Sequence, residues 1–400
     1  MASTASTAST ASKAPKATPV STPGPRPRAR RLAAVVLALG TVGALAGAAP
    51  PGIADAPRKG DHGFLERDLV SDLPGRAELQ DQNLVNPWGL VSTPRGAIRV
   101  SNNGSNTSTV YAGARVGRPV RVLAPVVQLP DTADPTGIVR NDSDAFRYTA
   151  NNRSGPARYI FAGENGGLFA FNPDVDPTNA AQVVQEDDAV FKGLTLVECD
   201  KKGTDCRKGG ERRSRILVAN FRDARIDAFD ADFNQLNLPA DAFRDPRLPA
   251  GYAPFDVKKF GERVFVTYAL QDAAKHDDVP GAGHGFIDVF TTRGRLLGRF
   301  ASRGVLNSPW GLETAPRGFG KFAGDLLVGN FGDGRINAFD LRTGRFEGTL
   351  RDRNGQPIEI DGLWGLQRGT PLSGGKDSVW FSAGIEDEAH GLLGTLRAEP

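Results

Sequence analysis

From residue 64 onward the chain is written in short runs of alternating apolar and polar residues, each stopped by Gly, Asn, Asp or Pro. In "LLVGNFGDGRINAFD" (326–340), Leu326 and Val328 fall on one side of a strand, and Leu327 and Gly329 on the other. A turn follows, and Ile336, Ala338 and Asp340 then alternate with Asn337 and Phe339. A period of two interrupted by turn residues predicts an antiparallel hairpin. "LVANFRDARIDAFD" (217–230) is a close copy, and "IFAGENGGLFAFN" (160–172) is a looser one. "VFVTYA" (264–269) with "GFIDVF" (285–290) is another. The 3.6-residue apolar rhythm of helical repeats is missing.

A second phrase precedes each hairpin. Pro87-Trp88-Gly89-Leu90, Pro309-Trp310-Gly311-Leu312 and Leu363-Trp364-Gly365-Leu366 are its clearest copies. Between them stand Pro135-Thr136-Gly137-Ile138, Phe191-Lys192-Gly193-Leu194 and Pro254-Phe255-Asp256-Val257, in steps of 48, 56, 63, 55 and 54 residues. A further short run such as "FEGTLR" (346–351) closes a unit. Four short strands in 50–60 residues are one propeller blade. The fold expected is therefore all-β, a six-bladed β-propeller of four-stranded antiparallel blades over residues 64–398. After Trp364 only "DSVWFS" and "GLLGTLR" remain, one strand short of a blade, while "FLERDLVSDL" (64–73) precedes the first unit without one of its own. That N-terminal strand is expected to close the last blade, which leaves no open edge. The glycine of the repeated phrase suits an axis where neighbouring backbones approach closely. The tryptophans suit packing between blades, or an aromatic platform facing a ligand.

Composition changes the picture mainly at the N-terminus. Residues 1–25 are almost only Ala, Ser, Thr and Pro, too polar and too small to order themselves. Arg26, Arg28, Arg30 and Arg31 follow, then an apolar run from Leu32 to Ala49 with Ala44 and Ala46 as a small-residue cleavage signal. That order predicts a secretory signal peptide with a disordered extension over 1–48 and a linker over 49–63. The pair Arg30–Arg31 permits the twin-arginine route, but without its usual flanking residues the Sec route is preferred. About 18 residues broken by Gly and Thr make a poor membrane span, so no stable span is expected in the mature, secreted chain. Of 49 basic and 46 acidic residues, six basic ones lie in the leader, leaving 43 against 46. Nothing basic enough remains for a nucleic-acid surface, and a monomer is expected. Cys199 and Cys206, the two cysteines of the chain, are expected to clamp a loop as a disulfide after export.

The strings "LVSDLPG" (69–75), "LVNPWGL" (84–90), "YALQDAAKHDDVPG" (268–281), "GDLLVGNFGDGRINAFD" (324–340) and "IDGLWGL" (360–366) resemble a family of uncharacterised secreted bacterial proteins. The resemblance runs from about Leu69 to Leu393 and implies a propeller fold and export; it brings no reaction and no catalytic residue. Some members carry a C-terminal sorting tail, whereas this sequence reads "LRAEP" at its last residues. The closing string "GIEDEAHGLLG" (384–394) also resembles the family, which more often has an acid where His390 stands.

In such a propeller the loops leading into the inner strands and those joining second and third strands open on one face. Asn103, Asn220, Tyr268 and Asn330, with Trp88, Trp310 and Trp364, are the expected ligand-binding residues there. Glu164, Asp256, Glu386 and His390 are the expected metal ligands, because converging oxygens suit Ca²⁺ or another divalent ion. Turn formation alone also explains many Asn and Asp residues, so departures from the repeat say more. These are "QDAAKHDDVPGAGH" (271–284) and "IEDEAHG" (385–391), both rich in His and carboxylates. A binding module for a small molecule, glycan or protein is the first function expected. The alternatives are a divalent-metal hydrolase resembling the calcium-dependent lactonase propellers and a protein-interaction scaffold. There is no G-x-S-x-G, H-E-x-x-H or P-loop pattern.

Overall fold

A computed structural model describes residues 63–198 and 214–399. The leader expected over 1–48, most of the linker and the Cys199–Cys206 pair lie outside the described residues. Among the described residues, no helix is long and apolar enough to cross a membrane.

Six antiparallel sheets follow one another along the chain, and the alternation of each run decides its strands. The first blade is Pro87–Ser92, Ile98–Asn102, Thr107–Ala112 and Arg121–Gln128, hydrogen-bonded in that order. The fourth (Tyr252–Phe260, Arg263–Leu270, Phe286–Thr291, Leu296–Ser302) and the fifth (Pro309–Thr314, Leu326–Asn330, Ile336–Phe339, Phe346–Thr349) repeat it. The second blade (Pro135–Arg140, Tyr159–Gly163, Gly167–Phe171, Ala181–Gln185) carries an added hairpin, Arg147–Ala150 with Arg153–Pro156. Asn151 and Asn152, at φ 49° and 60°, supply its left-handed turn.

The sixth blade takes Leu363–Arg368, Ser378–Ala383 and Leu392–Ala398 from the end of the chain and Phe64–Ser71 from its beginning. Phe64 pairs with Ala398 and Ser71 with Leu392, antiparallel, so the N-terminal strand closes the ring as expected. Leu79–Gln80 then adds a short parallel strand outside it. One blade falls short of the four-strand expectation. The third has Phe191–Val197, Arg215–Asn220 and Arg225–Phe229, with a single bridge from Phe229 to Gln235 beyond them. The following segment contains Pro239, Pro246 and Pro249, which remove the donors an outer strand would need.

Each pair of neighbouring blades shares its own apolar cluster. Leu90 packs with Leu393 between the first and sixth, Phe161 with Val127 between the second and first, and Leu194 with Ile160 between the third and second. Val257 packs with Leu217, Leu312 with Ile287, and Leu363 with Leu327 at the remaining three junctions. The second and third strands of the blades are therefore buried on both faces while the outer strands stay largely exposed, and the hydrophobic drive holds blade to blade around the ring.

Every inner strand breaks its ladder at the same place, beside the repeated phrase: between Pro87 and Leu90, Phe191 and Leu194, Pro254 and Asp256, Pro309 and Gly311, and Leu363 and Leu366, and opposite Phe161/Gly163 in the second blade. Such an irregularity re-aims a side chain. It also orphans a backbone N–H, which a hydroxyl on the second strand satisfies. Gly89 donates to Ser101, Asp256 to Thr267 and Gly365 to Ser382, each at 2.9 Å. The re-aimed residues are Trp88, Thr136, Lys192, Phe255, Trp310 and Trp364, and the next positions form a second layer: Gly89, Gly137, Gly193, Asp256, Gly311 and Gly365. At the five glycines of that layer close approach leaves no room for a Cβ. A Cβ on Gly365, for example, would collide with the Trp88 carbonyl oxygen.

Candidate functional site

The aromatic members of the first layer close the channel with a plug. Trp88 and Trp364 stack with centroids 3.3 Å apart, and Phe331 covers the other face of Trp364 at 3.9 Å. Trp310 meets both indoles edge-on at 5.7–5.8 Å, and Phe255 and Phe221 complete the cluster. All three tryptophans are buried, at 1%, 4% and 2% exposure for Trp88, Trp310 and Trp364. They pack on one another across the axis, and a ligand at the mouth finds no free face on Trp364.

Lys192 interrupts this plug. It occupies the register that holds Trp in three other blades, and its ammonium lies 5.2 Å from the Trp88 ring centre and 5.7 Å from that of Phe221. Buried ammonium needs a partner, and Lys192 donates to Glu164 at 2.5 Å, with Asp277 at 3.7 Å. Burial alone would pull its pKa down, but Glu164 and then Asp277 hold it above the ordinary lysine value. Asn103 donates to the second Glu164 oxygen at 2.9 Å. Asn86 donates to Asn103 at 3.3 Å and to Glu388 at 2.8 Å, and it accepts from the Trp364 indole at 3.2 Å. One continuous network thus joins the first, second, third, fourth and sixth blades.

Glu388 reaches this network by a strained route. Glu386, Asp387 and Glu388 have φ of 57°, 55° and 66°, three consecutive left-handed residues with no glycine among them. Each costs about 1–2 kcal/mol, which persists only where surrounding contacts enforce it. The turn is pinned by Glu388 N–H to Gly384 O and His390 N–H to Ile385 O, both 3.2 Å. Burial first, and the charge of Glu164 second, raise the Glu388 carboxyl to about 7, against the Asn86 hydrogen bond and Lys192. His276 is raised by its hydrogen bond to Asp277, 3.0 Å away. A carboxyl poised near neutrality beside a fixed ammonium can bind, donate or accept a proton.

Glu164, His276 and Asp277 bring ligand atoms within 4.8 Å of one another, the geometry of a cation site. The Lys192 ammonium already occupies the cation position beside two of them. The other residues expected to hold a metal lie elsewhere. Glu386 is exposed, with its N–H bonded to Asp361 at 2.8 Å. His390 turns to Asp72 at 2.7 Å, which raises its pKa. Asp256 lines a cavity on the far side of the plug.

Among the expected ligand residues, Asn103, Trp88 and Trp364 meet at this site. Asn220 donates to Asp227 at 2.7 Å and accepts from Asp223 N–H at 3.2 Å, holding its own turn. In the fifth blade the Asn330 amide donates to Asp333 at 3.0 Å and to Val305 O at 2.7 Å. Tyr268 is 2% exposed, in the apolar cluster between the third and fourth blades. Sequence reasoning missed Lys192. The signal available was a lone charge in a register that is otherwise aromatic or threonine.

No family model matches the chain. An uncharacterised protein of Acanthamoeba polyphaga mimivirus is 31% identical over 339 residues, which cover 82% of this chain and 78% of that one. A second uncharacterised mimivirus protein is 31% identical over 350 residues, 85% of this chain and 87% of its own. Among solved structures, a GH93 alpha-L-arabinofuranosidase of Fusarium graminearum superposes with a TM-score of 0.50 at 10% identity, covering 84% of this chain and 98% of that one. A streptogramin B lyase gives 0.49 at 12% identity, covering 86% of this chain and 100% of its own. At 10% identity the likeness to the arabinofuranosidase concerns the fold alone. The identity and coverage of the mimivirus relatives go further, and the chain belongs to their family.

Proposed function

We propose that the protein is an exported binding propeller whose channel mouth takes a small, hydroxyl-rich ligand of the size of one or two sugar units. The observation that carries this reading is the convergence of Glu164, Asp277, Glu388, Asn86 and Asn103 around Lys192 above the closed plug. Such a site mixes fixed acceptors with fixed donors at short range. A hydroxyl group both donates and accepts, so a polyol matches it better than an apolar or singly charged molecule. The indoles are covered, so recognition falls to hydrogen bonds at the rim rather than to ring stacking. Preorganisation supports binding as well: the strained turn of Glu388 and the clamped lysine leave little to be ordered when a ligand arrives. A metal-dependent hydrolase would require Lys192 to leave the carboxylates first.

Calorimetric titration of the mature chain with mono- and disaccharides tests the reading. Saturable binding, weakened about tenfold or more in Glu388→Gln and Asp277→Asn variants of unchanged fold, is the expected result. Failure of every sugar and polyol in the panel to bind a folded protein would remove it. Export is tested separately, by sequencing the N-terminus of chain recovered outside the cell; a mature start close to residue 49 is expected.

A further inference from the structure

Beyond the aromatic plug, at the opposite end of the channel, lies a cavity of about 350 Å³. Trp310 lies among its lining residues, and the inner strands of all six blades form its wall. These strands are the terminal members of their sheets, so backbone edges face the space. Six charged side chains bear on it: Arg140, Asp142, Glu198, Asp256, Lys258 and Lys259. Arg140 is committed, donating to Asp142 at 2.7 Å and to Ser92 O at 2.6 Å.

Asp256 is the anomaly. It stands in the layer where the other five blades have glycine, and it is 6% exposed. A Cβ on Gly193 would fall on its carboxylate, so the neighbouring glycine makes its place. Burial raises this carboxyl to about 7, opposed by Lys258 and by the Val257 N–H. Five blades close the ring without an acid, so the fold does not require one here. Lys258 is held only at long range. Its ammonium lies 3.5 Å from Leu366 O and 4.0 Å from Glu313, whose other oxygen already accepts the Thr314 N–H at 2.8 Å.

We propose that this cavity is a second ligand site, separate from the mouth, that takes a small monocarboxylate held between Asp256 and Lys258. Arg140 and Asp142 cancel, and Glu313 lies between Lys258 and Arg368, 4.0 Å from each, so Lys258, Lys259 and Arg368 outweigh Glu198 and Glu313 by one charge whenever Asp256 carries its proton. One surplus positive charge suits a monoanion and not a doubly charged phosphate. The ammonium of Lys258 and the acid proton of Asp256 are two donors for one carboxylate, the strong, charge-assisted case. The volume lies at the lower end of the range for small-molecule sites, about 300–1,000 Å³, so a few carbon atoms beyond the carboxylate fit.

Trp310 beside the cavity gives the readout, its fluorescence during titration of the full mature chain with sodium acetate, butyrate and lactate. Inorganic phosphate and glycerol serve as the dianionic and neutral probes. One-to-one binding of a monocarboxylate is expected, at least about tenfold weaker in both Asp256→Gly and Lys258→Met. Asp256→Gly restores the residue of the other five blades, so its thermal unfolding should match the parent or exceed it. Asp277→Asn, whose side chain is exposed at the mouth and outside the plug, should leave carboxylate binding unchanged, so this proposal and the mouth reading fail independently. No saturable carboxylate binding, equal affinity in Asp256→Gly, or phosphate bound as tightly as butyrate would each overturn it.

Discussion

The ammonium of Lys192 lies 5.2 Å from the centre of the Trp88 ring while its Nζ touches Glu164 at 2.5 Å, so one lysine joins the aromatic plug to the acidic mouth. Its side chain is 2% exposed and that of Glu164 is 11% exposed. Removing one partner of so buried a pair strands the other charge, which costs about 3–5 kcal/mol. Lys192→Met should therefore destabilise by roughly that amount in urea unfolding. Adding Glu164→Gln to it should recover much of the loss. Additive losses in the double variant would show that the two groups are not coupled.

The same lysine decides whether the mouth binds metal. Glu164, His276 and Asp277 have ligand atoms within 4.8 Å of one another, and one His with two carboxylates suits Zn²⁺. A tethered ammonium repels a dication from those oxygens. Lys192→Ala should acquire Zn²⁺, seen as stoichiometric metal after dialysis and a melting temperature that rises with added Zn²⁺. The parent chain should melt at the same temperature with Zn²⁺ or with a chelator. A parent that holds Zn²⁺ as tightly as the variant would contradict this.

How much of this could be read from residues follows from which signals repeat. The repeated phrase, Trp–Gly in three of its copies, marks six inner strands, and the strand from Phe64 finds its partner because the last blade lacks one. Both follow from period-two alternation and the need to close an edge. The missing outer strand of the third blade was also legible, in Pro239, Pro246 and Pro249, but the strong neighbouring repeats obscured it. Lys192 was hidden inside the phrase "FKGL", which reads as a worn copy of "PWGL". Its importance depends on all six copies pointing at one axis, which no single copy reveals. Glu388 was passed over for Glu386 and His390 because the choice among adjacent acids depends on backbone hand. Left-handed Glu and Asp residues leave no mark in composition, since they are held by hydrogen bonds to Gly384 O, to Asp361 and to Asn86 of the first blade.

The pH dependence of stability should carry the signature of Glu388. Its carboxyl rises from 4.5 to about 7 on folding, through burial and then Glu164. Between those values the folded chain keeps a proton that the unfolded chain has released, so stability falls as pH rises through the window and levels off above it. The loss from this group is at most about 3 kcal/mol. Asp256, raised to about 7, and Asp288, raised to about 6, add to it in the same direction. Glu388→Gln keeps an acceptor for Asn86 and cannot ionise. Its unfolding free energy should decline less steeply between pH 5 and 7 than that of the parent, by about one proton. Parallel curves for the two proteins would assign the proton to other groups.

The strain in the last loop separates stability from binding. Asp387 sits at φ 55° and is exposed, and its carboxyl takes no part in the network around Lys192. Glycine adopts that conformation without the steric cost of a Cβ. Asp387→Gly should therefore stabilise the protein by about 1 kcal/mol, the strain relieved exceeding the added freedom of the unfolded chain. The same change loosens the turn that aims Glu388, so affinity for a ligand at the mouth should fall while stability rises, a stability–function exchange expected of strained sites. Glu386→Gly should behave alike, because its side chain is exposed and its N–H bond to Asp361 survives the change. Thermal unfolding and a titration at the mouth, run on the same preparations, decide the matter. A variant that gains stability and keeps full affinity would mean that the left-handed turn is not what positions Glu388.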